Sequence, residues 1–318
     1  MKPPIRTSSA LHVLFCLGML GGTGCRPGSD SEVLEIGWTR SVLVAPLIWA
    51  HEEGLLPPQV RFRRFSSQEA LIAALRGGRL QAGIVPFHAA VRLQAERPSW
   101  RVPLVLGAAS AHPILIGRGV NWLNLSRYRI PIRLGSPEHF WAERLLLERG
   151  LLPDRARTLL DPLPERELAL LEARSPVRFG LFDTIEAGWS VLARAERLTM
   201  PPMEVLLISD SLASVRPLVL EALLAGWANA LVRWEADPDA AFASWAALLD
   251  TTREAVRRMA ERYRFGTPRL NQELLAPGGP LLQYQWAMHR FWIRYDLLAP
   301  ATPFRPLPDS TGWRHLME

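Results

Sequence analysis

Four short stretches of this chain set small polar residues where helices should begin, and what such starts can hold is the first chemical question. Ser66, followed by Ser67, has capping-box spacing to Glu69. Gly135-Ser136-Pro137 puts an N-cap serine before a proline at the first helical position, Asp183-Thr184 opens a third helix, and Thr39-Arg40-Ser41 precedes a fourth. A helix start presents unpaired N–H groups and about half a positive charge, so several converging on one cleft would hold an anion without any lysine. Each cap also has a purely structural use; convergence alone would make them functional. Arg40 is the strongest candidate cation, because a guanidinium grips a carboxylate or sulfonate through two bonds. A surface arginine on a loop is the other reading. Trp38, Phe87, Phe140 and Trp141 lie beside these loops and would wall a cleft against a flat or aliphatic ligand. His88 follows a strand end, and either points into the cleft or sits hydrogen-bonded in the core.

Covalent chemistry finds little to work with. The chain has no P-loop, no Gly-x-Ser-x-Gly elbow and no His-Glu-x-x-His, and its seven histidines are scattered singly. Its two cysteines are Cys16 and Cys25, too few for a zinc site, and no metal, cofactor or enzymatic activity is expected.

The elements that must position these residues alternate. Strands are predicted at 33–37, 60–65, 81–85, 101–107 and 113–117, with helices at 42–54, 68–76 and 87–94 between the first four, which describes an open α/β sheet. A second unit follows: strands at 129–134, 158–161 and 177–182, helices at 137–149, 164–173 and 184–195. After a strand at 204–208 the pattern is all helix. Val215, Leu218, Val219, Ala222, Leu223, Trp227, Ala230, Leu231 and Trp234 share one face at helical spacing and read as core. Helices at 238–249, 253–263 and 281–298 precede an irregular tail. The expected organisation is two lobes, 33–115 with 205–300 and 116–204, then a tail at 301–318. Crossings near 112–119 and 204–209 would leave a cleft that hinge closure can shut.

The N-terminus speaks to location. Lys2 and Arg6, a short apolar run and Gly22-Thr23-Gly24-Cys25 read as an export signal over 1–24, cleaved so that Cys25 can be lipidated, with a linker at 25–32. Cleavage without lipid is the alternative. Loss of Lys2, the only lysine, and Arg6 takes the formal charge from +6 to +4. Clusters such as Arg61/Arg63/Arg64 are interleaved with acids, and with export they argue against a nucleic-acid partner.

In order along the chain, Ile36-Gly37-Trp38, residues 45–55 (Ala-Pro-Leu-Ile-Trp-Ala-His-Glu-Glu-Gly-Leu), 65–71 (Phe-Ser-Ser-Gln-Glu-Ala-Leu) and 75–83 (Leu-Arg-Gly-Gly-Arg-Leu-Gln-Ala-Gly) resemble the solute-binding proteins of ABC importers in the nitrate, sulfonate and taurine group. The resemblance implies a type II periplasmic-binding-protein fold, a monomer in the periplasm or on the outer face of the cell membrane, and an ABC permease as partner. Ser136-Pro137-Glu138-His139-Phe140-Trp141-Ala142-Glu143-Arg144, then Gly150, is similar to the nitrate/bicarbonate branch, and implies that His139 contacts the anion. Asp183 and Glu186 fall where the family's second lobe meets its ligand; they would suit an amine, as in a zwitterionic sulfonate, and repel a bare anion. The same fold serves pyrimidine-precursor synthases that hold a cofactor on a lysine, which a chain without a mature lysine cannot do. An extracytoplasmic sensor signalling to a membrane partner is the alternative function.

Overall fold

The structure, a computed structural model, describes residues 33–182, 184–195 and 201–313. The expected leader, Cys25, the linker and Asp183 lie outside the described residues.

β1 (Leu34–Trp38) is buried at every position but Glu35, which pairs with Arg63 of the next strand, and it runs parallel to two neighbours, as suits a mostly apolar inner strand. A 3-10 turn at Val42–Val44, capped by the Ser41 hydroxyl accepting from Leu43 N–H at 3.2 Å, leads into α1 (Ala45–Glu52). β2 (Val60–Arg64) is the sheet edge, its arginines turned to solvent. Ser67 rather than Ser66 caps α2 (Gln68–Arg76), its Oγ accepting from Ala70 N–H at 3.2 Å, while Ser66 is exposed. β3 (Ala82–Pro86) runs directly into α3 (Phe87–Glu96), and β4 (Trp100–Ala109) follows.

The chain then leaves this sheet. β5 (Ile114–Arg118), β6 (Ile130–Arg133), α4 (Pro137–Glu148), α5 (Pro153–Leu159), β7 (Leu160–Leu163), α6 (Glu165–Arg174), β8 (Val177–Gly180) and β9 (Trp189–Arg194) make the middle of the molecule. β6 and β7 form a parallel pair, and β5 sits between β8 and β9 in an antiparallel sheet. Three expectations change here. The strand expected at 113–117 as part of the first sheet pairs instead, as β5, with β8 and β9. The strand expected at 158–161 starts at Leu160, because residues up to Leu159 complete α5. The helix expected at 184–195 is instead the strand β9. Gly188, at φ +84°, turns the chain into it, and Trp189 lies between the guanidinium groups of Arg118 and Arg178 (4.8 and 4.5 Å from the ring centre). These cross-strand contacts outweigh the helix-favouring alanines and leucine of the segment.

β10 (Met203–Ser209) returns antiparallel between β3 and β4. α7 (Asp210–Val215) and α8 (Pro217–Ala236) follow, split at Arg216 because Pro217 cannot donate to a continuing helix. The apolar stripe is therefore core only in part: Leu223, Trp227, Ala230 and Leu231 are buried and Val219 packs against them in part, whereas Val215 and Leu218 are 73% and 76% exposed. α9 (Pro238–Leu248) and α10 (Arg253–Ala260) precede β11 (Tyr263–Phe265), a strand where only helix was expected, which pairs with β4 and completes the order β11-β4-β10-β3-β1-β2. α11 (Pro268–Leu275), also unexpected, and α12 (Pro280–Arg294) close the helical part. The tail is anchored: Val102 bridges Pro308, and the buried Trp313 indole donates to Pro103 O at 2.8 Å. No described helix is long and apolar enough to cross a membrane.

Candidate ligand site

The start of α4 is held by a closed set of bonds. Gly135, at φ +71°, turns its N–H onto His139 Nδ1 (3.2 Å), the Ser136 hydroxyl accepts from His139 N–H (3.2 Å), and the Trp292 indole of α12 donates to Gly135 O (2.9 Å). Since Nδ1 accepts, the neutral ring carries its proton on Nε2. The ring packs edge-on against Phe291 and Tyr295, with centroids 4.9 and 4.4 Å away. His139 is 0% exposed, and burial pushes its pKa down to about 4. The resemblance implied an anion contact for this histidine; the fold gives it to the core, and neither cavity described next is lined by it.

Two cavities adjoin at Pro86, His88 and Pro137. The larger, about 520 Å³, lies over the starts of α2 and α4 and is lined by Gln68, Arg76, Arg92, Arg133, Gly135 and Ser136 among others. Arg76 and Arg92 both pair with Glu96, at 2.6 and 3.5 Å. Gln68 Oε1 accepts from the Thr39 hydroxyl at 2.8 Å, which leaves its buried Nε2 donor without a partner. Guanidinium groups, an amide donor and two helix starts suit an anion.

The smaller cavity, about 210 Å³, differs in character. Phe87, Trp141 and Tyr284 give it aromatic walls, Pro86, Pro137, Pro201 and Pro202 line it further, and its charged groups are the carboxylates of Glu138 and Glu204. Phe87 and Tyr284 stack with centroids 5.7 Å apart, and Phe140 meets Tyr284 edge-on behind them at 5.5 Å. Burial raises the Tyr284 hydroxyl well above its ordinary value, against a smaller opposing effect of Trp141, and the buried Trp141 indole N–H has no acceptor in hydrogen-bonding geometry. Glu204 is the second residue of β10, and its buried Oε2 has no hydrogen-bond partner. Burial lifts its carboxyl to about 7, with Ser41 pulling the other way. His88 sits where the cavities meet; burial first, then Arg133 and Arg92, push it down to about 4, so it is neutral at physiological pH.

The structure thus gathers Phe87, His88, Ser136 and Trp141 onto the two cavities. Thr39 reaches them through Gln68. Others go elsewhere. Trp38 is buried under the Arg64 guanidinium, 5.6 Å from its ring centre, and Arg40 donates to the backbone carbonyl of Asp250 at 3.0 Å. Ser66 and Ser67 do not line either cavity, and Ser67 spends its hydroxyl on capping α2. Glu186 is an exposed side chain 3.9 Å from Arg178. Sequence reasoning missed Gln68, Arg133, Glu138, Glu204 and Tyr284. The one legible signal was Glu204, an acid among the apolar residues of a buried strand. Among the described residues, no group of three His, Cys, Asp or Glu side chains is placed to hold a metal ion.

No family model matches the chain, and neither does any curated protein. Solved structures do. The alkanesulfonate-binding protein SsuA from Xanthomonas axonopodis pv. citri bound to MOPS is 19% identical, over 87% of this chain and 96% of that one, with a TM-score of 0.56. The periplasmic aliphatic sulphonate-binding protein SsuA from Escherichia coli is 14% identical, over 86% and 92%, with a TM-score of 0.61. The periplasmic nitrate-binding protein NrtA from Synechocystis PCC 6803 is 12% identical, over 86% and 84%, with a TM-score of 0.54. These likenesses are of fold, and the chain has the periplasmic-binding-protein fold.

Proposed function

We propose that this chain is the exported solute-binding component of an ABC importer, taking a small polar or anionic solute of the nitrate, sulfonate and taurine class into its cleft and handing it to a permease. The observation that carries the reading is the pair of adjoining cavities, built jointly by α2 and α3 beside the six-stranded sheet and by the start of α4. The cavity residues offer binding groups and no nucleophile paired with a base, so capture without catalysis is the chemistry that fits. In this reading residues 33–115 with 205–300 form one lobe and 116–204 the other. The closed state wins because the solute touches both and so binds closed better than open. Export with lipid attached at Cys25 would hold the protein, as a monomer, on the outer face of the cell membrane. The sulfonate- and nitrate-binding proteins that share the fold support the solute class.

Scattering and melting test it together. Among nitrate, ethanesulfonate and taurine, at least one should shrink the radius of gyration of the full chain and raise its melting temperature. A ligand at a hundred times its dissociation constant stabilises the native state by about 2.7 kcal/mol. Melting and scattering curves unchanged by all three would contradict the proposal.

A further inference from the structure

The smaller cavity has the wrong charge for a bare anion. Its ionisable lining is Glu138, Glu204, the neutral His88 and Tyr263 and Tyr284, with no arginine, and the chain's only lysine is Lys2. The larger cavity next to it has the opposite balance, with Arg76, Arg92 and Arg133 in its lining against one acid, Glu69. Glu204 is the odd member. β10 holds its backbone in register opposite Pro86 of β3 and Gly107 of β4, so the carboxylate is fixed at the cavity by the central strand of the sheet. Its Oε2 is buried with no hydrogen-bond partner, an arrangement that costs free energy unless a donor meets it. Around it stand the ring systems of Phe87, Trp141 and Tyr284, whose faces attract a cation.

We propose that Glu204 anchors a positively charged nitrogen of the solute inside these aromatic walls, so that the transported molecule is aminated, with its anionic end in the arginine-lined cavity beyond His88. This rests on the solute-binding reading above and narrows it to zwitterions. A protonated amine supplies the donor that Oε2 lacks and the charge that keeps the carboxylate ionised. A simple alkyl or inorganic anion supplies neither, and would meet two acids.

Calorimetry on the full chain with three probes decides it: taurine, ethanesulfonate, which is the same anion without the amine, and choline, a cation without the anion. Taurine should bind at least tenfold tighter than ethanesulfonate. Glu204→Gln should abolish most of that advantage while leaving ethanesulfonate within about twofold. Should the variant not fold, the wild-type ratio still decides. Equal or tighter binding of ethanesulfonate, or a taurine affinity unmoved in folded Glu204→Gln, would overturn the role of Glu204 and leave the solute-binding reading standing. Binding of choline alone, lost in Glu204→Gln, would keep the cation anchor and remove the anionic class. Heat from none of the three would overturn both.

Discussion

His139 is fully buried in a segment whose sequence suggests ligand contact, and Glu204 lines a cavity from a strand whose sequence suggests core. The histidine sits in a segment that looks like an anion site, yet its ring is closed off by Phe291, Tyr295 and the Gly135 amide. His139→Ala should therefore lower stability by about 2–4 kcal/mol, from a core cavity and an orphaned Gly135 N–H, and leave solute affinity unchanged in protein that remains folded. Urea melts and titrations of the same variant check both halves. Glu204 makes a pH-dependent prediction. Its carboxyl is raised from 4.5 to about 7, so between those values the folded chain keeps a proton that the unfolded chain has released. The stabilising contribution is full below about pH 4.5 and is lost as pH rises through 7, by at most about 3 kcal/mol. His88 and His139, both lowered to about 4, act in the opposite sense below their ordinary value of 6.5, so the comparison must be with a variant. Relative to wild type, Glu204→Gln should gain stability from pH 4.5 to about 7 and level off above it, in the absence of solute. Parallel melting curves across that range would contradict the assignment.

At the scale of elements, local signals carried the sequence reading where an element is defined by its own residues. The bounds of α2 were legible because an apolar period and a following Gly77 delimit it locally, although its cap is Ser67 and not the expected Ser66. The start of α4 was legible from Ser136 and Pro137 for the same reason. β9 and β11 were not, since each exists through a partner strand far away in sequence: β9 through β5, and β11 through β4. Asn271 shows what holds the second of these. It is 0% exposed; its Oδ1 accepts from Val105 N–H at 2.7 Å and its Nδ2 donates to Val105 O at 3.0 Å and Gly266 O at 2.8 Å, continuing the β4 ladder where β11 stops. Asn271→Ala leaves the Val105 donor and acceptor buried and unpaired, at a cost of about 2–3 kcal/mol. Hydrogen exchange should show the amides of β11 and the adjoining part of β4 opening more readily in this variant; unaltered protection there would mean the carboxamide is dispensable.

On the scale of the whole molecule, the alternation of strand and helix was enough to anticipate the α/β architecture and the return near β10, but not that the chain leaves the first sheet directly after β4, because β5 is assigned to its own sheet only by pairing with the distant β8 and β9. The site was harder to read because it is assembled from places that sequence keeps apart. Phe87, Trp141, Glu204 and Tyr284 meet at one cavity from four separate elements, and α12 links them by stacking Tyr284 on Phe87 while its Trp292 bonds to the turn before α4. Helix starts in the sequence pointed toward the neighbourhood, but the sign of the charge in each cavity depended on which side chains the fold turns inward. Arg40, chosen as the cation, spends its donor on Asp250 O, whereas Arg133 lies on the larger cavity.

Capture of one small solute per chain, as proposed, is tested most directly by native mass spectrometry of the full chain purified quickly from its own cells. The account predicts a 1:1 adduct of low mass that contains nitrogen, is shed by collisional activation, and restores the higher melting temperature when added back to stripped protein. A bare polypeptide mass, together with a melting temperature that extensive dialysis leaves unchanged, would contradict it.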